Sequence, residues 1–290
     1  MVLGTIIKGI DGFYYVDIGD KVYECKARGL FRLHNKKPIV GDRVKIEIDE
    51  NSKTGYIVDI KDRKIELIRP EIANVEQVII VVSAKKPDIN MNLLQNLLVY
   101  TEYLGLEKLV CINKIDIDFE EEYISTFKML NSIPYNVLRT SAVTKVGIEG
   151  LKEFLKNKIS VFAGPSGVGK SSLLNSISPN LKLKTGKVSK KTQRGTHTTR
   201  HSELIKLENG GMIADTPGFT SFDLLEMQEN ELQFCYPEFQ RHRICRFASC
   251  MHDKEPDCGV KEAVYDGLID KTRYEYYIQM LNNLRELRRY

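Results

Sequence analysis

The sequence predicts a multidomain chain: a small N-terminal β-barrel, a central α/β phosphate-loop domain with a circularly permuted motif order, and a C-terminal zinc-binding domain with helices. Three observations carry this. Short bursts of alternating apolar and polar residues fill residues 1–68. A complete phosphate loop, Gly164-Pro-Ser-Gly-Val-Gly-Lys-Ser171, comes after the fragment Asn113-Lys-Ile-Asp116, which in the usual nucleotide-binding order follows it. Three cysteines and a histidine lie within the 14 residues from Cys245 to Cys258.

A chain of 290 residues is too long for one small core and suits two or three domains. The apolar fraction of 42% and charged fraction of 28% are those of an ordinary soluble protein. There is no apolar run of about 18 residues to span a bilayer, and Met1-Val-Leu-Gly-Thr-Ile-Ile-Lys8 lacks the succession of a signal peptide. The expected location is therefore the cytoplasm, where thiols stay reduced and clustered cysteines read as metal ligands. The net charge of +4 does not by itself demand a polyanion, but its distribution is uneven. Lys182, Lys184, Lys187, Lys190, Lys191, Arg194 and Arg200 run without an acid among them. Arg241, His242, Arg243 and Arg246 adjoin the cysteine group, and Arg285, Arg288 and Arg289 close the chain. Three separate basic regions favour nucleic acid over a small anion.

In chain order, Phe13–Ile18, Lys21–Cys25, Arg43–Ile48 and Tyr56–Ile60 read as strands, punctuated by Asp11-Gly12, Gly19-Asp20, Gly41-Asp42 and Thr54-Gly55. An oligonucleotide-binding barrel (OB-fold) would stack bases on Tyr14, Tyr15, Tyr23 and Phe31, although each of these, taken singly, fits core packing better. Beyond Arg69-Pro70 the pattern becomes alternating α and β. Val75–Ser83 and Leu106–Asn113 are apolar runs of the kind a buried parallel strand needs, and Leu93–Leu104 has helical spacing between them. Ile159–Gly164 leads as a strand into the phosphate loop, Lys170–Ile177 follows as its helix, and Met212–Asp215 is a further strand end. This alternation predicts a doubly wound sheet with its ligand beyond the carboxyl edge.

Glycines at 164, 167 and 169 let backbone N–H groups face a β-phosphate at the helix N-terminus. The nucleotide-binding run is Gly164, Pro165, Ser166, Gly167, Val168, Gly169, Lys170, Ser171 and Ser172, with Lys170 reaching the β- and γ-phosphates and the Ser171 hydroxyl on magnesium. Asp215-Thr-Pro-Gly218 can hold magnesium through water with Asp215 and meet the γ-phosphate with the Gly218 N–H. Thr196-His-Thr-Thr-Arg200 is the expected first switch, with Thr198 or Thr199 on the metal. Asp116 can accept from both guanine donors while Lys114 lies against the base and Asn113 braces the loops; Ile115 completes the segment, and Ser141 and Ala142 offer backbone N–H groups to the base. Phe219 stands where a water-orienting glutamine would serve, so unaided hydrolysis should be slow, with His197 the local candidate for that role. Cys245, Cys250, His252 and Cys258 form a closed tetrahedral zinc set, hence a structural one, while Cys25, Cys111 and Cys235 pack as small apolar residues.

With these marks, and with Gly41-Asp42-Arg43-Val44, the chain resembles the bacterial circularly permuted, ribosome small subunit-dependent GTPase family, RsgA (YjeQ/YloQ), over essentially its full length. Thr196 departs from the bulkier residue many members carry there. The resemblance implies an OB-fold RNA-binding barrel over 1–68, a circularly permuted GTPase domain over 69–225 and a zinc-binding and helical domain over 226–290. It implies binding of GTP or GDP with Mg2+ and one structural Zn2+. It further implies a monomeric cytoplasmic protein without membrane contact, whose partner is the small ribosomal subunit and its rRNA during late maturation. Two rivals remain: a zinc-dependent RNA-binding module that keeps the nucleotide fold as scaffold, and an ATPase. The segment Tyr274–Arg289 reads equally as an RNA-contacting helix or as a cap on the zinc domain.

Overall fold

The computed structural model describes residues 1–28, 37–49, 54–68, 70–117, 121–179, 202–219 and 227–287, with only the backbone for residues 121, 122 and 215–219. Phe31, the basic run Lys182–Arg200 with the expected first switch, and Arg288 and Arg289 lie outside the described residues. The strands are β1 (Val2–Ile10), β2 (Phe13–Asp17), β3 (Val22–Ala27), β4 (Arg43–Asp49), β5 (Thr54–Ile60), β6 (Glu66–Ile68), β7 (Glu71–Ala73), β8 (Gln77–Ser83), β9 (Glu107–Asn113), β10 (Asn136–Arg139), β11 (Ile159–Ala163), β12 (Glu203–Lys206) and β13 (Met212–Phe219). The helices are α1 (Met91–Tyr103), α2 (Glu121–Ser132), α3 (Ile148–Leu155), α4 (Lys170–Ile177), α5 (Glu229–Leu232), α6 (Gly259–Tyr265) and α7 (Lys271–Leu287). Among the described residues no helix is long and apolar enough to cross a membrane. By spatial contact the chain forms two units, one of Met1–Gln77, Lys152–Phe162 and Gly186–Phe219, the other of Val78–Leu151, Ala163–Thr185 and Thr220–Tyr290.

In the first unit β1 to β5 close a five-stranded barrel. β1 pairs antiparallel with both β2 and β4, β2 with β3 antiparallel, β3 with β5 parallel, and β5 with β4 antiparallel. A bulge between Ile6 and Lys8 lets β1 serve both neighbours. Asp11 and Gly12 both have positive φ, as a two-residue hairpin turn between Ile10 and Phe13 requires. Ile6, Val16, Cys25, Val44, Ile46 and Ile57 are buried and fill the interior. Tyr14 pairs with Cys25 and Tyr23 with Val16, so both share the core-facing side and fit packing rather than a base-stacking platform. Tyr15 pairs with Glu24 on the other side, where its hydroxyl donates to the Glu24 carboxylate at 3.1 Å. Two expectations shift here. β1 was not among the strands named from the sequence, and Thr54-Gly55, expected as a turn, lies within β5 opposite Glu24 and Cys25.

The entry to β4 is fixed by a buried ion pair. Asp42 accepts from Arg63 Nε at 2.7 Å and from the Ile39 N–H at 2.8 Å, while Arg63 also donates to Glu66 and to the Lys37 carbonyl. Beside it Gly41, at φ 89°, donates to Ile6 O at 2.8 Å. The same unit continues in the order β11-β13-β12-β1, with Lys8 of β1 opposite Glu203 of β12.

In the second unit the order is β10-β9-β8, with β10 parallel to β9. Every residue of β8 is buried, matching its near-continuous apolar sequence. Asn90 caps α1 by accepting from the Leu93 N–H at 3.0 Å. A separate core joins α1, through Val99, to Tyr236, Phe239, Val260, Tyr277, Leu281 and Leu284 of the C-terminal segment. Arg273 of α7 is fully buried at its edge. Its guanidinium donates to Glu238 at 2.7 Å, to Gln95 of α1 and to the Tyr135 hydroxyl at 3.2 Å, and lies 4.1 Å from the Tyr236 ring centroid.

A Cβ at position 41 would fall 2.0 Å from the Ala73 carbonyl oxygen, on top of the positive φ. Gly41→Ala is therefore expected to cost more than about 2 kcal/mol, read as a lowered denaturation midpoint; an unchanged midpoint would contradict the packing described for the β4 entry.

Candidate nucleotide-binding site and metal centre

The strand β11 ends at Ala163 and the chain turns at Gly164 into the phosphate loop, which α4 closes from Lys170 onward. The loop does not stand alone. Asn113, the buried last residue of β9, donates from Nδ2 to the Val168 carbonyl at 2.8 Å, while its Oδ1 accepts from the Thr140 hydroxyl at 3.2 Å. One side chain thus fastens the Asn113–Asp116 loop, the Thr140–Ala142 loop and the phosphate loop together. Gly169 faces this contact at φ 96°, and a Cβ there would sit 2.3 Å from Asn113 Nδ2. Backbone bonds from Thr140 N to Ile112 O at 2.8 Å and from Ile115 N to Thr140 O at 3.3 Å hold the Asn113–Asp116 and Thr140–Ala142 loops in register.

Lys114 also has a positive φ, and its ammonium donates to Gly167 O at 2.7 Å and to Lys86 O, tying the phosphate loop to the loop before α1. Burial lowers its pKa, against the opposing pull of Asp116. Asp116 is exposed and accepts from the Ser141 hydroxyl at 2.5 Å. That hydroxyl in turn accepts the Val143 and Thr144 N–H groups, which orients its proton towards the carboxylate. Here the structure departs from expectation: the Ser141 N–H, read as a donor to the base, is bonded to Val146 O at 3.0 Å. Ser141 meets the neighbourhood through its side chain instead. Ala142 lies beside α4, its carbonyl accepting from the Ser176 hydroxyl at 3.3 Å.

Lys170 donates to the Gly164 and Pro165 carbonyls at 2.6 and 2.9 Å, so its ammonium lies along the inside of the loop. Desolvation lowers its pKa, a cost that an anionic phosphate would offset. Ser171 and Ser172 follow on the first turn of α4 and are half-buried, whereas Ser166 and Gly167 at the loop tip are exposed. The structure therefore brings together Asn113, Lys114, Asp116, Ser141, Ala142 and the whole run Gly164–Ser172. Ile115 joins them through its N–H on Thr140 O at 3.3 Å. β13 continues to Phe219, so Asp215 and Gly218 lie within a strand whose side chains there are not described, and His197, Thr198 and Thr199 are outside the described residues.

The second cluster is in the C-terminal segment. Cys245, Cys250, His252 and Cys258 present ligand atoms all within 4.8 Å of one another. Cys245 Sγ lies 3.8 Å from Cys258 Sγ, and His252 Nδ1 lies 3.6, 3.5 and 3.3 Å from the sulfurs of Cys245, Cys250 and Cys258. A tetrahedral zinc with Zn–S of about 2.3 Å has S–S edges of about 3.8 Å, so the donor set fits that ion. Burial pushes the Cys250 thiol up to about 12 and raises Cys258 as well. Thiolates in so dry a pocket need a compensating cation. The Glu255 carboxylate accepts the Met251 and Asp253 N–H groups at 2.7 and 2.9 Å, shaping the loop that carries His252. From α7 the Tyr274 hydroxyl donates to His252 O and the Tyr277 hydroxyl to Met251 O, each at 2.6 Å. These two bonds hold α7 over the loop that carries His252. The remaining cysteines are buried, with burial pushing the Cys25 thiol to about 11 and those of Cys111 and Cys235 to about 12.

Sequence reasoning missed Gln233, whose Oε1 lies 3.2 Å from His252 Nε2, and Arg273; neither belongs to a short motif.

Known proteins resemble the chain throughout. The family model for the RsgA GTPase matches residues 60–225, and that for the RsgA N-terminal domain matches residues 3–57. The small ribosomal subunit biogenesis GTPase RsgA of Clostridium perfringens (strain 13 / Type A) is 49% identical over 282 residues, covering 97% of each chain. That of Alkaliphilus metalliredigens is 46% identical over 292 residues and covers 100% of both. Among solved structures, YjeQ from Thermotoga maritima superposes with a TM-score of 0.85 at 38% identity, covering 98% of each chain. YloQ, described as a circularly permuted GTPase, gives 0.83 at 38% identity over 99% of this chain and 96% of its own. Relatives named as GTPases over their whole length do not favour a nucleotide fold kept only as scaffold. With the Asn113–Asp116 and Thr140–Ala142 loops preceding the phosphate loop in the sequence and joined to it in space through Asn113, and with matches that run from end to end, this chain is a GTP-hydrolysing member of the RsgA GTPase family.

Proposed function

We propose that the chain hydrolyses GTP to GDP and phosphate on the small ribosomal subunit, acting in late maturation of that particle as a conformational release switch whose turnover the subunit stimulates. The observation that carries the nucleotide reading is the fastening of three loops by Asn113, which joins the loop bearing Asp116 to the loop that leads into Lys170. The partner is inferred from relatives named small ribosomal subunit biogenesis GTPase.

In this reading the barrel of residues 1–68 contacts rRNA, residues 69–225 bind and hydrolyse the nucleotide, and residues 226–290 hold a structural zinc. Asp116 selects guanine, Lys114 lies along the base, and backbone N–H groups from Gly164 to Ser172 with the Lys170 ammonium cradle the phosphates. Magnesium, when bound with the nucleotide, neutralises charge developing on the β- and γ-phosphate oxygens, and Ser171, Asp215 and Thr198 or Thr199 are the residues to hold it. Gly218 senses the γ-phosphate, and His197 is the residue proposed to orient water where Phe219 has no group to do so. Cys245, Cys250, His252 and Cys258 complete the zinc shell. The protein works as a cytoplasmic monomer.

Asp116→Asn should weaken GTP binding at least about a hundredfold, because the amide offers guanine a donor where an acceptor is required; unaltered affinity in a calorimetric titration would refute the base assignment. For the partner, GTP and ATP hydrolysis are compared with and without isolated small subunits, using Lys170→Ala as control. Slow GTP turnover that rises strongly with subunits and vanishes in the variant is expected, along with tighter subunit binding in non-hydrolysable GTP than in GDP. Equal turnover of ATP, no response to subunits, or equal affinities would overturn the switch reading. Chelation of the metal should make Cys245, Cys250 and Cys258 titratable by a thiol reagent, while Cys25, Cys111 and Cys235 stay protected by their burial. Unchanged thiol reactivity after chelation would remove the metal from the account.

A further inference from the structure

The geometry around His252 points to a positioning residue outside the ligand set: we propose that Gln233 fixes His252 as a metal ligand through Nδ1 by accepting the proton on Nε2. The inference rests on the zinc reading above and concerns which ring nitrogen serves and what holds it there.

Both ring nitrogens of His252 have an assigned neighbourhood. Nδ1 faces the three sulfurs at 3.3 to 3.6 Å, and Nε2 faces Gln233 Oε1 at 3.2 Å on the opposite edge. The orientation of the Gln233 amide is set by its own contacts, since its Nε2 donates to Asn230 O at 3.1 Å and lies 3.8 Å from Met251 Sδ. Its oxygen is therefore the atom directed at the imidazole, and an oxygen there can only accept. That requires the proton on Nε2 and leaves the Nδ1 lone pair for the metal. Both side chains are buried, His252 at 1% and Gln233 at 6% exposure, so water does not substitute for this bond. The ring is further held edge-on against Phe239, centroids 5.8 Å apart. The backbone makes the short reach of Nδ1 feasible: His252 sits at φ 57°, and its N–H turns back onto Cys250 Sγ at 3.4 Å.

Gln233 stands on the short helical turn directly after α5, in the segment by which the chain continues from β13 towards the metal loop. The bond to His252 thus ties that segment to the metal centre as well as selecting the tautomer.

The first test uses the wild-type, metal-replete chain and needs no variant. Long-range proton–nitrogen spectra of the ring that responds to metal removal should show a retained Nε2–H and a metal-bound Nδ1; a retained Nδ1–H would overturn the proposal. Secondly, Gln233→Leu should weaken zinc binding about 10- to 100-fold in competition with a chromogenic chelator, and Gln233→Glu, which keeps an acceptor oxygen, should recover most of the loss. Equal affinity of wild type and Gln233→Leu would also overturn it. Metal content is measured separately: wild type that binds no zinc would sink the underlying site reading, whereas one tightly bound ion with the other tautomer sinks the role of Gln233 alone.

Discussion

The junction proposed as the nucleotide site depends on a single amide. Asn113 is the last residue of a buried strand and its side chain has no conformational freedom left, because one end is taken by the Val168 carbonyl and the other by the Thr140 hydroxyl. Three loops that are far apart in sequence share that side chain, and their relative positions decide whether a base and a phosphate chain of fixed length can be held at once. The glycine at 169 is a consequence of the same contact, since any side chain would occupy the space of the amide. Chain order is irrelevant to this arrangement. What a permutation must preserve is the meeting point, and here it is preserved.

The C-terminal segment obeys a different rule. It buries an arginine, which is costly unless every donor is used. Each of the three guanidinium nitrogens of Arg273 has a partner, Nε in Glu238, Nη1 in Gln95 and Nη2 in Tyr135, with the Tyr236 face beneath them. Because Gln95 and Val99 belong to α1, the C-terminal core and the helix following β8 are parts of one packed body. Such a pair gives specificity of docking more than stability, since apolar residues of the same volume would pack there without the desolvation penalty.

Most of the fold was legible because its signals are local. The apolar run of β8, the Asp11-Gly12 turn and the first residue of α4 after Gly169 each follow from a few adjacent residues. What failed to read from sequence depends on distant partners. Thr54-Gly55 looks like a turn until β3 and β4 are placed beside it, whereas the packing favoured for Tyr14 and Tyr23 taken singly agrees with the register that puts them with Val16 and Cys25. The Ser141 N–H is diverted by Val146, five residues on in an irregular loop where no periodicity applies. Gln233 and Arg273 are single polar residues whose partners lie 19 to 178 positions away, and nothing in their immediate sequence marks them.

The pairing of β1 with β12 has a consequence for how the chain is made. The barrel can close on its first sixty or so residues, but the Asp17 carboxylate inside its rim is nearly buried and its cationic partner, Lys206, is 189 positions further on. Lys8 likewise finds Glu203 only at that late stage. During vectorial synthesis the barrel therefore emerges with part of the β1 edge uncovered and with Asp17 lacking the Lys206 ammonium, and both contacts form only after most of the chain has left the machine that produced it. A barrel excised at residue 68 would keep those defects permanently.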